Sequence, residues 1–387
     1  MRHEIAIIGG GPSGSTAATY LANYGLDVCL IEKKVFPRDI LCGEFLSREV
    51  AANLKELNLF EDFLALKPNP INSFAMFDDK KEISAKLDFQ AYGMKRSVFD
   101  NLLLMNAKVK GVTVYQPCEV SEIRKENGGY VLKLKTSNQA FEQITSHYVI
   151  AAYGKKNHLD TKLARNFIGY KSNLNGIKYH VQKKFLKNMS DDKIQIFIAD
   201  GIYCGVNTVS DSEVTFCFLE DRLKKSKTPI RSLLDLAEKN RYFDSLFCSE
   251  LKDIFLPNRV YGSGDIFFGS KNKVEGGIFM TGDAAQVIAP LAGDGISIAM
   301  DSAKLLANLF NDKVKRNISD ANLYEVYNRE CQKNFEKRVK TALFIQKILF
   351  GKFARRIGLG VLNYYPSALN YFINNTRGDL TITRTVQ

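Results

Sequence analysis

The most constraining feature of this sequence is a glycine-rich motif near its start, Gly9-Gly10-Gly11-Pro12-Ser13-Gly14. The motif has the form G-x-G-x-x-G, follows an apolar run over 5–8 and precedes a helical pattern over 13–24. A second apolar run over 28–31 completes a predicted β-α-β unit. In that context the glycines let the backbone approach a pyrophosphate at the amino end of a helix. The sequence therefore predicts an α/β fold with a Rossmann-like dinucleotide-binding domain.

An acidic residue, Glu32, closes the second predicted strand 21 positions after Gly11. A carboxylate at this place can hold a ribose hydroxyl, whereas it would repel a 2′-phosphate. We therefore expect the motif to bind the adenosine of FAD or NAD.

Composition and charge narrow the class of protein. The chain has 387 residues, 45 % hydrophobic and 25 % charged, which excludes disorder, collagen-like repeats and disulfide miniproteins as the main architecture. The formal net charge of +12 favours anionic cofactors, acidic lipid surfaces or nucleic acid, and charge alone does not choose among them. The basic residues are spread and accompany no recognised nucleic-acid-binding fold, so we predict no nucleic-acid partner.

Cysteine and histidine usage argues against disulfide, zinc and hydrolytic chemistry. The seven cysteines include no C-x-x-C pair, so neither a disulfide framework nor a zinc cluster is indicated. The first residues form a predicted strand and show no signal-peptide pattern. We therefore predict a cytoplasmic protein. The histidines show no metal-ligand spacing and no partner acid, so we predict no metal site and treat all four as incidental: His3, His147, His158 and His180. No nucleophile-base-acid set indicates hydrolysis.

A second glycine-rich constellation lies nearly 270 residues further along the chain. Thr281-Gly282-Asp283-Ala284-Ala285 follows a short apolar run, and Pro290, Gly293 and Gly295 precede a helix with an apolar stripe. This pattern predicts a strand that delivers a carboxylate, a tight loop, and a second helix amino end directed at an anionic or electron-rich group.

Two further segments complete a family resemblance: Phe36-Pro37-Arg38 leading to Cys42-Gly43-Glu44-Phe45-Leu46, and Arg96 with Phe99-Asp100. With the two glycine-rich motifs, they make residues 1–310 resemble the flavoprotein monooxygenase superfamily typified by para-hydroxybenzoate hydroxylase. The resemblance is closer to its branch containing geranylgeranyl reductases and flavin-dependent halogenases.

The resemblance implies FAD as cofactor and assigns roles to matching residues. Asp283 would hold the ribityl chain, Arg96 would contact phosphate and ribose, Gly295-Ile296 would face the pyrimidine edge of the flavin, and Val120 would meet the adenine. The full predicted cofactor set is Gly9, Gly11, Pro12, Ser13, Gly14, Glu32, Lys33, Arg38, Cys42, Gly43, Arg96, Val120, Gly282, Asp283, Gly293, Gly295 and Ile296. For Cys42 we favour backbone packing beside Gly43 over a reactive thiol.

The sequence departs from the family pattern at two places. The Asp-Gly pair expected after the strand ending at Ile150 is replaced by Ala151-Ala152-Tyr153-Gly154, which weakens the assignment of NADPH or NADH as reductant. The chain also contains no tryptophan, whereas the halogenases of this branch carry a paired-tryptophan motif. We therefore do not expect halogenation.

Strand and helix patterns predict how the chain divides. We expect a discontinuous FAD-binding domain over 1–71, 93–170 and 262–318, a substrate-binding β-sheet domain over 72–92 and 171–261, and a C-terminal helical region over 319–387. The substrate wall is expected in the second domain, with Tyr203, Phe216 and Phe218 as candidate contacts.

The C-terminal region is a candidate for peripheral membrane contact. Basic side chains precede an uncharged stretch over 357–376 that glycine, proline and asparagine interrupt, a combination suited to anionic lipid headgroups rather than to a spanning helix. The basic residues are Lys337, Arg338, Lys340, Lys347, Lys352, Arg355 and Arg356.

We thus expect an FAD-dependent monooxygenase that uses NAD(P)H and O2 to hydroxylate an aromatic or lipid-like metabolite, such as an aromatic polyketide of secondary metabolism. One alternative is an alkene reductase that resembles the geranylgeranyl reductases. The other is a flavin-binding protein without catalytic activity.

Overall fold

The fold is built on two eight-stranded β-sheets. The computed structural model describes residues 1–136, 141–224, 228–352, 354–355, 358, 360 and 373–378. The strands are β1 (Arg2–Ile8), β2 (Val28–Ile31), β3 (Phe45–Leu46), β4 (Asn69–Phe77), β5 (Glu82–Gly93), β6 (Thr113–Tyr115), β7 (Cys118–Glu126), β8 (Gly129–Thr136), β9 (Phe141–Ala151), β10 (Leu174–Gln182), β11 (Lys193–Ala199), β12 (Ile202–Thr208), β13 (Glu213–Asp221), β14 (Tyr261–Ser263), β15 (Gly269–Ser270), β16 (Val274–Glu275), β17 (Ile278–Met280) and β18 (Gln286–Val287). The helices are α1 (Pro12–Asn23), α2 (Arg48–Glu56), α3 (Phe60–Ala65), α4 (Arg96–Val109), α5 (His158–Lys162), α6 (Pro229–Lys239), α7 (Arg241–Asp244), α8 (Leu251–Phe255), α9 (Gly295–Arg316), α10 (Asp320–Cys331) and α11 (Lys337–Phe350).

The first sheet contains the predicted β-α-β unit. Strands β6, β2, β1, β9 and β17 run parallel in that order, and Ile7 lies opposite Leu30 on one side and Ile150 on the other. Helices α1, α4 and α9 cover one face, and the hairpin β7–β8 packs with the other. Burial on both faces explains why these strands read as continuous apolar runs. The predicted α/β fold with a Rossmann-like domain is confirmed.

A tight turn joins the two strands of the β7–β8 hairpin. Strand β7 ends at Glu126 and β8 begins at Gly129, with φ angles of 48° at Asn127 and 77° at Gly128. Positive φ at both central residues matches the right-handed twist of the flanking strands and favours Asn-Gly here.

The second sheet has the order β14-β10-β13-β12-β11-β4-β5-β3. Its outer face packs under α6, α7 and α8, where the Phe216 ring lies 5.3 Å from that of Phe255. Its inner face turns toward the first sheet and α11. All but one of its strands lie within 69–93 and 174–263, and the exception is Phe45–Leu46. The division of the chain into domains stays a prediction.

The C-terminal helices pack against the body of the protein. A π-helical turn over Gln332–Glu336 joins α10 to α11, and Leu349 of α11 belongs to the apolar cluster on the inner face of the second sheet. Two of the predicted lipid-facing cations point inward instead, because Arg338 is 4 % exposed and Arg355 donates to the Ala199 carbonyl at 3.2 Å. Most of the uncharged stretch over 357–376, and Arg356, lie outside the described residues. Among the helices that are described, none combines the length and apolarity needed to cross a bilayer.

Candidate functional site

A cavity of about 860 Å³ opens where the two glycine-rich motifs meet the second sheet. The carboxyl ends of β1 and β2, the amino ends of α1 and α9, and the inner face of the second sheet all contribute to its walls. Binding sites in α/β sheets lie at this place, beyond the carboxyl ends of the parallel strands. The cavity is large enough for a cofactor and part of a substrate together.

The two distant motifs are joined by a chain of hydroxyl groups. Ser13 of the first motif donates to Thr281 of the second at 3.1 Å, and Thr281 lies 2.9 Å from Ser302 of α9. Ser302 in turn accepts from the Gly282 amide at 3.0 Å. Since all of these groups are buried, the contact fixes the amino ends of α1 and α9 at one cavity.

Glycine is required at the start of α1 by close approach. A Cβ on Gly14 would lie 1.8 Å from the Gly9 carbonyl oxygen, whereas a Cβ on Gly11 would meet only the Arg38 guanidinium, at 4.0 Å. Gly11 therefore borders open space at the amino end of the helix. No side chain caps this end, so its backbone N–H groups are available to an anion.

Glu32 is 4 % exposed and lines the cavity with both carboxylate oxygens hydrogen-bonded. The Gly10 amide donates to Oε2 and the Lys34 amide donates to Oε1, each at 2.7 Å. The carboxylate thus holds the glycine turn as well as bordering the cavity. Its predicted contact with a ribose stays a prediction.

Two guanidinium groups line the same part of the cavity. Arg96 makes a bidentate ion pair with buried Asp100 at 2.6 and 2.8 Å, and Arg38 lies 3.5 Å from that carboxylate. Burial lowers the pKa of Arg96, but the Asp100 charge outweighs it and the net direction is upward. Arg38 also lies 3.9 Å from Glu32, so its guanidinium group stands between two carboxylates beside the uncapped amino end of α1.

The second motif presents Asp283 and the amino end of α9 to the cavity. Gly293 has φ = 62°, and a Cβ there would come within 3.0 Å of the Phe45 ring. Asp294 precedes α9 but does not cap it, because its carboxylate accepts from Arg338 of α11 at 2.9 Å. The first N–H groups of α9 are thus free of side-chain caps, as at α1.

Two buried lysines brace the Asp283 loop from behind. Lys271 donates to the backbone carbonyls of Lys155 and Asp283, at 2.7 and 2.9 Å, and Lys273 donates to that of Ala285 at 2.8 Å. Burial lowers the pKa of each ammonium group to about 8. Lys271 therefore ties the loop to the segment that replaces the expected Asp-Gly pair.

In the segment Ala151-Ala152-Tyr153-Gly154, a tyrosine precedes the glycine where the family pattern has an aspartate. Tyr153 lines the cavity and donates to Asp160 at 2.7 Å, and Asp160 accepts from Arg165 at 3.0 Å. Burial, followed by the Asp160 charge, raises the pKa of Tyr153 well above its usual range. The phenol is therefore neutral.

A buried charge cluster beside the cavity was missed by the sequence analysis. Glu44, in the left-handed region with φ = 59°, accepts from Lys178 at 2.8 Å, from His180 at 2.6 Å, from the Arg96 amide at 2.9 Å and from Thr215. Burial raises the pKa of this carboxyl, but His180 and Lys178 lower it to about 2.

This cluster corrects the treatment of His180 as incidental, since the imidazole has an acid partner. Asp39 lies near enough to Glu44 and His180 for the three to share a metal ion, but the Lys178 ammonium already compensates the Glu44 charge. The available sequence signal was the i, i+2 spacing of Lys178 and His180, which places both on one face of a strand.

The rest of the cavity wall is mostly apolar and comes from the second sheet and the loops after β14 and β18. It includes Ile194, Ile196, Tyr203, Gly205, Asn207, Cys217, Leu219, Ile266, Phe268, Val287 and Leu291. Tyr203 donates to Gln346 of α11 at 3.3 Å. We call this part of the cavity, bounded by these residues, the apolar compartment.

Most of the predicted site residues border the cavity. They are Gly9, Gly11, Pro12, Ser13, Glu32, Lys33, Arg38, Cys42, Gly43, Arg96, Asp283, Gly293, Gly295, Ile296, Tyr203 and Phe218. Gly14 and Gly282 lie behind the wall, and Val120 is buried in an apolar cluster beside two lining residues, Cys118 and Glu119. Phe216 is directed to the outer face of the second sheet, and the Phe218 side chain belongs to the same outer cluster.

These features fit FAD. Two helix amino ends without side-chain caps face one cavity, Gly11 borders open space, and guanidinium groups lie beside the first of these ends. Gly9–Gly14, Arg38 and Arg96 would hold the diphosphate and adenosine, and Asp283 with the amino end of α9 would hold the ribityl chain and flavin ring.

The fold and the site define an FAD-dependent oxidoreductase. A family model described as an FAD binding domain matches residues 2–226, more than half of the chain, and the chain belongs to that family. The relatives include geranylgeranylglycerophospholipid reductases and flavin-dependent halogenases, as the sequence resemblance predicted.

Among these relatives, digeranylgeranylglycerophospholipid reductase 3 of Methanosphaera stadtmanae is 25 % identical over 90 % of this chain and 87 % of its own length. A tryptophan 2-halogenase of Chondromyces crocatus is 26 % identical over 86 % of this chain but 65 % of its own. In fold, the chain is similar to a geranylgeranyl bacteriochlorophyll reductase-like protein of Thermoplasma acidophilum, with a TM-score of 0.75, 20 % identity, and coverage of 90 % of this chain and 88 % of that one.

Proposed function

We propose that this protein is an FAD-dependent monooxygenase that hydroxylates an aromatic or lipid-like metabolite with NADPH or NADH as reductant and O2 as oxidant. The observation that carries the proposal is the apolar compartment, which opens directly onto the predicted flavin position at Gly293, Gly295 and Ile296. When bound, FAD supplies the redox chemistry and the activation of oxygen.

The residues of the compartment would orient the substrate and keep water out. Its mostly apolar walls offer little hydration to a reactive group, which protects oxygen chemistry from side reactions. Burial raises the pKa of Cys217 to about 12 and that of Tyr203 well above its usual range, so both groups stay neutral at physiological pH. An uncharged wall of this kind suits a hydrophobic substrate.

Turnover of the purified, FAD-loaded protein tests the proposal. We expect NAD(P)H oxidation and oxygen uptake that are stimulated by a member of a panel of phenols and isoprenoid lipids, with a product about sixteen mass units heavier than the substrate. Absence of stimulated turnover with every member of the panel would count against the proposal.

Alkene reduction is the second candidate. It is favoured by the match over 87 % of the length of a digeranylgeranylglycerophospholipid reductase. The same assay separates the two activities, because reduction adds about two mass units and consumes no oxygen. Flavin that is reduced by light but reacts with neither oxygen nor acceptor would instead indicate a binding protein.

Replacing Asp283 by alanine is expected to weaken FAD binding. A cavity-lining carboxylate that accepts from a ribityl hydroxyl contributes about 1 to 3 kcal/mol, or roughly a five- to 150-fold change in the dissociation constant. Fluorescence titration of the apoprotein with FAD measures the change. Asp211→Ala, at an exposed bend, is the matched control, and unchanged affinity in Asp283→Ala would contradict the assignment.

A further inference from the structure

The inner face of the second sheet carries an unpartnered polar side chain, Asn207. It is 1 % exposed and lines the apolar compartment, and its amide nitrogen has no hydrogen-bond partner among the described residues. A buried donor without a partner costs free energy, and such groups in native sites are commonly satisfied by a ligand or water. A polar ligand atom at this place would remove that cost.

The polar neighbours of Asn207 on the same face are already engaged. Thr215 lies directly opposite Asn207 on β13, and its hydroxyl donates to Glu44. Lys178 and His180, on the next strand, donate to the same carboxylate. Glu44 thus occupies these donors and leaves the Asn207 amide nitrogen without a partner among the described residues at the wall of the compartment.

The space beside Asn207 is open along its own strand. A Cβ on Gly205, two residues away on the same face, would meet only the Cys217 carbonyl oxygen, at 3.7 Å. Beyond Gly205 the wall is formed by Tyr203 and Leu219, which lie opposite each other. A ligand lying over Gly205 would therefore have its apolar part against Tyr203 and Leu219, and one polar group at Asn207.

We propose that Asn207 recognises a hydroxyl group of the substrate, an inference that rests on the proposed function and makes this residue a determinant of specificity. A carboxamide offers one acceptor and two donor hydrogens, and rotation of the amide exchanges the two ends. A hydroxyl both donates and accepts, so it matches either orientation. A phenol or a terminal alcohol is thereby selected over the corresponding hydrocarbon.

Calorimetric titration of the FAD-loaded protein with para-hexylphenol and with hexylbenzene tests the proposal. Asn207→Leu, which keeps the approximate size of the side chain, is expected to weaken para-hexylphenol binding about tenfold and to leave hexylbenzene binding unchanged or tighter. Gln195→Leu is the matched control, because Gln195 is a buried amide on the neighbouring strand, directed to the opposite face. It should alter neither affinity.

Equal loss of both probes in Asn207→Leu, or loss of neither, would overturn the proposal. A shift in the FAD absorbance or affinity with unchanged para-hexylphenol binding would also overturn it, because Asn207 would then serve the cofactor. Should Asn207→Leu not hold FAD, Asn207→Ala is measured by the same criteria. Failure of the wild-type protein to bind either probe refutes the hydrophobic substrate class, whereas a failure confined to the variant comparison refutes only the role of Asn207.

Discussion

Replacing Glu44 by glutamine is expected to destabilise the protein by about 3 to 5 kcal/mol. The carboxylate is fully buried and accepts from Lys178, His180, Thr215 and the Arg96 amide. Glutamine offers one acceptor oxygen to these donors and adds an NH2 group that competes with them, while the Lys178 charge stays buried without a counter-charge. Urea unfolding of both proteins near neutral pH measures the difference in the free energy of unfolding.

The pH dependence gives an independent check. The pKa of Glu44 is about 2 in the folded protein against 4.5 for the unperturbed group. Because the folded-state pKa is the lower one, the Glu44 contribution is complete above pH 4.5 and is lost as the pH falls toward 2. The difference between wild type and Glu44→Gln should therefore shrink over this interval. A difference that is independent of pH would contradict the ionised cluster.

Glu213→Gln is the matched control for this experiment. Glu213 pairs with Lys95 at 3.0 Å, but both side chains are partly exposed, at 24 % and 22 %. Solvent screening limits such a pair to about 1 kcal/mol or less. A loss for Glu213→Gln as large as that for Glu44→Gln would show that burial is not the cause.

Replacing Gly14 by alanine is expected to abolish FAD binding. The added Cβ would lie 1.8 Å from the Gly9 carbonyl oxygen, so α1 must move away from the end of β1 and the anion-binding turn must open. The cost is about 3 kcal/mol or more, because backbone rather than a flexible side chain must shift. Flavin absorbance per protein after purification, and retitration of the apoprotein with FAD, measure the loss. Gly169→Ala is the control, since a Cβ there meets no atom within 4 Å.

The sequence predicted the cofactor half of the molecule well, because its signals are local. Glycine spacing, apolar runs and Glu32 specify the β-α-β unit within about thirty residues, and the structure places Val28–Ile31 as predicted. The meeting of the two glycine-rich motifs through Ser13 and Thr281 could be expected only from the family resemblance, since 268 positions separate these residues.

The substrate half was harder to predict, because alternation along a strand does not say which face of the sheet lines the cavity and which packs under the helices. Phe216 was expected to contact the substrate, but it packs under α6–α8, whereas Thr215 and Cys217 on the same strand face inward. The Glu44 cluster depends on pairing between distant strands and on a positive φ at a non-glycine residue, neither of which the sequence reveals. The inward direction of Arg338 likewise depends on tertiary packing, because its buried partners Asp294 and Asp301 lie immediately before α9 and within it.

The contacts of the chain's last described segment with α9 have a practical consequence. Arg377 lies 3.6 Å from Asp294, which immediately precedes α9, and it donates to the Gly293 carbonyl at 3.4 Å. The Gly378 amide donates to Glu49 of α2 at 3.0 Å, and Arg338 of α11 also pairs with Asp294. Residues 373–378 and α11 therefore hold the end of α9 that borders the predicted flavin position. Cofactor retention and the seating of this segment are therefore expected to depend on each other. Deleting residues 373–378, or attaching an affinity tag beside them, is expected to weaken FAD binding. Conversely, the resistance of this segment to proteases should rise when FAD is added.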